Sequence, residues 1–147
     1  MLKILGQVSG LIQYHFIQYY IDLMKIKKTF VHLIAGIMVL SSFAHIYSPE
    51  FYDGMVPPFL PVGLSHILAF VVELAIGIAL FVPRFRSLAG LAFMVLMLVF
   101  LPIHIWDATR ENPVIGSRAV AYIRIGIQLF LILLGFFIFK TKRKKVF

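Results

Sequence analysis

A carboxylate, three imidazoles, a guanidinium and an amide interrupt apolar stretches of this chain: Glu73, His45, His66, His104, Arg124 and Gln128. These groups can pass protons, hold a metal or grip the polar end of a small ligand. Glu73 lies at the middle of the run Gly63 to Val82, GLSHILAFVVELAIGIALFV. About 20 helical residues at 1.5 Å rise cross the roughly 30 Å hydrocarbon core of a bilayer. A carboxylate at that depth costs several kcal/mol (about 3 on insertion scales) unless it is paired, protonated or wetted. His66 lies seven residues before Glu73, and seven helical steps return to the same face. Gly77, four residues on, adds a small residue to that stripe, where a neighbouring backbone can approach.

These side chains leave several chemistries open. In the structural reading, Glu73 and Arg124 neutralise each other and pin the register of a helix bundle. A metal held by His45, His66 and His104 with a carboxylate suits zinc, iron or copper, although the residues lack a short-range ligand spacing. A haem on two of the histidines has no obvious small-residue cavity to occupy. A histidine-lined chamber near the membrane surface also suits a quinone, or a bound lipid or lipid-like headgroup. For each histidine taken singly, an interfacial hydrogen-bonding role is the simplest.

The elements that must position these residues are membrane helices. The chain has 147 residues, 61% of them hydrophobic, and a mean hydropathy of +0.97, which points to a single-domain integral membrane protein. Its net charge of +8 comes from basic residues at the ends of apolar runs, so the bilayer is the expected partner and nucleic acid is not. There is no cysteine, which excludes thiol–disulfide relay chemistry and cysteine-ligated metal. Residues 1–28 carry Lys3, Gln7, Gly10, Tyr14, Gln18 and Asp22 or Lys25 on one stripe. That pattern predicts an amphipathic helix lying in the membrane interface. The same stretch lacks a compact apolar core with a small-residue cleavage site, so no cleavable signal peptide is expected in it.

Residues 29–139 then form the expected four-span domain. The first helix runs from Thr29 to about Tyr47, with an Ala35–Gly36 pair suited to close contact. Ser48 to Gly63 forms a cap over the bundle mouth. Within it Ser48 caps a short helix that starts at Pro49 and ends at Gly54, and Pro57, Pro58 and Pro61 stiffen the return. Pro83 to Arg86 is a basic turn, and Ser87 is expected to cap the third helix, in which Gly90, Met97 and His104 share a face. Pro102 should kink that helix near its end. Ser117 starts the fourth helix, Ala119 to Phe139, with Ala121, Arg124, Gln128 and Gly135 facing inward. The basic tail, residues 140–147, should anchor to anionic lipid. Lys25, Lys27, Lys28, Arg84, Arg86 and the tail fall on one side of four spans, so both termini are expected in the cytoplasm and the membrane is expected to be the inner one. That orientation gathers His45, His66 and His104 at the outer end.

AHIYSPEFYDGMVPPFLP (44–61), VVELAIGIALFVPRFRSLAG (71–90) and VFLPIHIW (99–106) resemble the DoxX-like four-helix membrane proteins. The resemblance implies motif roles for His45, Pro49, Tyr52, Pro57, Pro58, Pro61, Glu73, Gly77, Pro83 and Pro102, and Tyr52 joins the candidate ligand-binding residues on that ground. Many such proteins carry an asparagine after the third-helix proline, where this chain has Ile103-His104. The family's namesake is similar to the membrane subunit of a thiosulfate–quinone oxidoreductase. The resemblance therefore implies a subunit of a membrane redox process, working with other membrane subunits and binding a quinone or lipid-like ligand. The alternative expectation is a non-catalytic assembly or interaction protein with a structural Glu73–Arg124 pair.

Overall fold

The computed structural model describes residues 2–140, with side chains described from position 13 onward except at 20, 23 and 24. It contains five helices: α1 (Leu2–Tyr47), α2 (Glu50–Asp53), α3 (Val62–Phe81), α4 (Arg86–Thr109) and α5 (Arg118–Phe139). There is no strand among the described residues. Among the described residues, four stretches are long and apolar enough to span a membrane: Lys25–Tyr47 within α1, and the whole of α3, α4 and α5. The protein is an all-α, four-helix membrane bundle.

The boundary expected near Lys28 is not a break in the backbone, because α1 runs through it as one helix. Tyr14, Phe16, Ile17 and Tyr19 are all exposed, so these side chains rest on no other helix among the described residues. Gln18 donates weakly to Asp22 at 3.4 Å, and Lys25 pairs with Asp22 at 3.5 Å, along the polar stripe read from the sequence. Burial begins at Val31 and His32, inside the first span. The basic tail beyond Lys140 lies outside the described residues.

Sequence explains where the helices stop. Pro61 precedes α3, and Pro83 holds Val82 in an extended conformation (ψ 112°) that ends it. Pro102 lies inside α4, which continues through it to Thr109. A proline within a membrane helix survives when its neighbours re-satisfy the freed backbone groups. Ser117 caps α5 by accepting from the Val120 amide. Two expected caps do not form. Ser87 donates instead to the Phe139 carbonyl at 2.7 Å, tying α4 to the end of α5. Pro49 occupies the cap position of α2 with no side-chain cap bond, so Ser48 does not serve there.

The bundle is built from two close helix pairs. α1 packs on α3, α4 packs on α5, and α3 makes a lighter contact with α4. Lipid tails are as apolar as leucine, so close van der Waals fit has to hold such pairs together. The close approaches are at glycines. A Cβ on Gly77 would sit 2.8 Å from Val39 and 3.1 Å from the Ala35 carbonyl. One on Gly90 would sit 2.7 Å from the Phe139 amide nitrogen, and one on Gly135 would sit 2.9 Å from that of Met94. Ala35 is fully buried as expected, whereas its neighbour Gly36 meets nothing within 4 Å. The apolar core, which includes Ile34, Met38, Ile76, Leu80, Phe93 and Ile138, lies towards the end of the bundle that carries the termini. There Arg86 locks three helices by donating to the Leu80 carbonyl and to His32, both at 3.0 Å.

The opposite end is closed by α2 and the proline-rich segment after it. Arg110 donates to the Gly54 carbonyl at 2.9 Å and lies over the Trp106 ring at 4.9 Å. Val114 packs against Gly54, and buried Asp107 accepts from the Val114 amide at 2.8 Å. The cap is thus fastened to the α4–α5 loop. This end is called the mouth below.

Candidate functional site

Beneath the cap, between the two helix pairs, lies a cavity of about 290 Å³. Its position follows from the packing: glycines draw α1 to α3 and α5 to α4, and the seam between the pairs stays open. His45, Tyr52, His66, Glu73, His104, Arg124 and Gln128 all line it. Every side chain that sequence singled out as a candidate ligand contact therefore reaches one space. Ile34, Met38, Phe93, Met97, Phe100 and Leu131 form its apolar wall.

The polar groups fall into two sets. On the α1–α3 side, Asp53 Oδ1 lies 2.7 Å from His66 Nε2. His66 Nδ1 lies 3.2 Å from His45 Nδ1. His45 Nε2 lies 3.5 Å from Glu73 Oε1. The Tyr52 ring stacks on His45 with 4.1 Å between centroids and meets His66 edge-on at 6.5 Å. On the α4–α5 side, Gln128 donates to the Met97 carbonyl at 2.6 Å, which orients its amide. Arg124 donates to the Met55 thioether at 2.9 Å, a weak acceptor that leaves most of its N–H groups available.

Two of the readings that the sequence leaves open find no contact here. Glu73 and Arg124 do not pair: the carboxylate faces His45 and the guanidinium faces Met55. The structural reading has Glu73 and Arg124 neutralise each other, but α3 and α5 belong to different pairs, and the open seam separates them. Nor do His45, His66 and His104 converge as metal ligands. No group of three such side chains able to hold a metal occurs among the described residues. His45 and His66 bond to one another, while His104 stands on the α4 wall.

Two buried polar atoms of the cavity residues lack partners, Glu73 Oε2 and His104 Nδ1. Each such group, left unsatisfied, costs about 1–3 kcal/mol, so water or a ligand in the cavity is the natural complement. Sequence reasoning did not find Asp53 or Met55. Both lie on the cap, where no helical periodicity relates them to the spans. An acidic residue in the loop facing a histidine-rich helix end was the available signal for Asp53.

The architecture defines a class: a four-span membrane protein with a capped, polar-mouthed cavity between two helix pairs. Within that class, residues 34–138 match a family model described as a domain of unknown function, DUF8561, and the chain belongs to that family. No curated protein and no solved structure matches the chain.

Proposed function

We propose that this protein binds a small amphipathic molecule, a quinone or lipid-like ligand, as a subunit serving a membrane redox process. The observation that carries the reading is the two-sided cavity: a polar end with unsatisfied hydrogen-bonding atoms and an apolar wall, at the mouth of a membrane bundle. Ligand sites are mostly apolar concavities with a few placed polar groups, and about 300 Å³ is the lower end of their usual size. The ring carbonyls of a quinone accept hydrogen bonds, and Arg124 carries donors for them. A phosphate headgroup would use the same arginine.

Access from the membrane is consistent with this chemistry. α1 and α5 are not closely packed, and Ile37 lines the cavity from α1 yet is 55% exposed. An apolar ligand dissolved in lipid could enter by that gap. The competing reading, an assembly protein held by a Glu73–Arg124 pair, loses its motivating contact. The resemblance to DoxX-like proteins adds the proposed redox partner subunits. Electrons would pass to such a partner, because a chain without cysteine has no thiol relay of its own. The excess of Lys and Arg at the terminal end supports a mouth facing outward across a bacterial inner membrane.

Native mass spectrometry of the full chain tests the reading, with a short-chain ubiquinone analogue and a lysophospholipid added in separate titrations. One saturable adduct per chain is expected, weakened about tenfold or more by Arg124→Leu, equivalent to about 1.4 kcal/mol. Absence of saturable binding in both titrations would remove the proposed function.

A further inference from the structure

The contacts on the α1–α3 side form a line rather than a cluster: Asp53, His66, His45, Glu73. Its ends differ in surroundings. The Asp53 side chain is 52% exposed at the mouth, and the Glu73 side chain is 5% exposed at the cavity. His66 and His45 between them are both buried.

Proton counting gives the line its meaning. The Asp53 carboxylate accepts, so His66 Nε2 carries a hydrogen. A neutral imidazole has one N–H, so His66 Nδ1 is then an acceptor and the facing His45 Nδ1 donates. The remaining nitrogen of a neutral His45 is then a lone pair directed at another acceptor, Glu73 Oε1. Two acceptors in contact need one more proton between them. That proton can rest on Glu73, leaving both histidines neutral, or on His45, leaving the carboxylate charged. With the central hydrogen moved to His66 Nδ1, the charge rests on His66 and His45 Nε2 donates to Glu73. All three states hold the same number of protons and differ only by shifts along existing contacts.

We propose that Asp53, His66 and His45 form a proton path joining water at the mouth to Glu73. A proton taken up at the Asp53 end appears at the Glu73 carboxyl, and the reverse shift releases it. The Tyr52 ring, stacked on His45, holds the imidazole in line. The 3.5 Å step to Glu73 is the longest, a few tenths of an ångström beyond a hydrogen bond. The other titratable groups facing Glu73 across the cavity are His104 on α4, Arg124 on α5 and Tyr52 on the cap. Asp107 is turned to the Val114 amide and Arg110 instead. In combination with the proposed ligand, on which this sentence alone rests, a molecule seated against Glu73 would exchange its proton with the mouth side of the membrane.

The test needs no ligand. Infrared spectroscopy of the full chain in lipid nanodiscs reads the carbonyl stretch of a protonated carboxylic acid, assigned to Glu73 by its loss in Glu73→Gln. Transfer to heavy water shifts that band as the proton exchanges. His66→Gln should retain the band and slow its exchange by about tenfold or more. Asp53→Asn, at an exposed position that tolerates change, should slow it in the same direction and serves if His66→Gln fails to fold. Ser41→Ala, on the cavity wall outside the path, should leave the rate unchanged. The proposal is overturned by exchange at the wild-type rate in both His66→Gln and Asp53→Asn, or by equal slowing in Ser41→Ala. It is also overturned if no Glu73 band appears at any pH at which the chain stays folded. The adduct titration above is separate: loss of ligand binding leaves the exchange result standing, and failure of exchange leaves the adduct standing.

Discussion

At the scale of residues, Glu73 belongs to His45 and not to Arg124. The distinction is measurable because groups in contact do not contribute additively to stability. The pair Glu73→Gln and His45→Gln should show a coupling of about 0.5–3 kcal/mol in a double-mutant cycle. The pair Glu73→Gln and Arg124→Met should be additive to within about 0.5 kcal/mol. Unfolding in one detergent, for all single and double changes, makes the comparison. Stronger coupling to Arg124 than to His45 would show that the carboxylate points the other way across the cavity. His66 and Glu73 were readable as partners on one face because seven residues is nearly two helical turns. Their connection through His45 was not readable, since it depends on how α1 and α3 are rotated against each other.

At the scale of elements, the helix pairs are set by where a backbone can come close. Gly90 and Gly135 lie where α4 and α5 approach, and an added methyl would meet backbone atoms of the partner helix. Gly90→Ala and Gly135→Ala should each destabilise by about 1–3 kcal/mol, the usual cost of overpacking. Gly36→Ala meets open space and should be neutral or slightly stabilising, since alanine is favoured over glycine in a helix by up to about 1 kcal/mol. Thermal unfolding of the three variants in the same detergent checks this ordering. Stability loss in Gly36→Ala equal to that in Gly90→Ala would mean that a further helix surface covers α1. The inward stripe of α5 was legible from spacing: Ala121, Gln128 and Gly135 are buried, with Arg124 half-buried beside them. The Ser87 cap was misread because α4 already starts at Arg86, which puts Ser87 inside the helix, where its hydroxyl donates to the Phe139 carbonyl at the end of α5. Only the packed pair supplies that group.

At the scale of the molecule, the open seam and the charge asymmetry make opposite ends do different work. The terminal end is closed by core packing and by the Arg86 lock; the mouth holds the cavity, the cap and the exposed Asp53. Reporter fusions at Lys28, Phe85, Asn112 and Lys145 should read inside, inside, outside and inside. An outside signal at Phe85 would reverse the proposed orientation and would direct the proton path to the cytoplasm.

The sequence by itself determined that this is a membrane protein with four spans, where the first ends, where the other three begin and end to within a few residues, and which polar side chains face inward. Those properties are local. Hydropathy over about 20 residues, proline positions and the 3.6-residue helical period are enough to decide them. The tertiary structure alone decided the partners. Whether Glu73 meets Arg124 or His45, whether three histidines gather or separate, and whether Asp53 touches His66 all depend on which helices pair closely and which stay apart. That is settled by ångström-scale contacts at Gly77, Gly90 and Gly135 and by the docking of the cap through Gly54 and Val114. The same glycines would give a different site if α1 and α5 closed on each other, and no spacing within a single helix records that they do not.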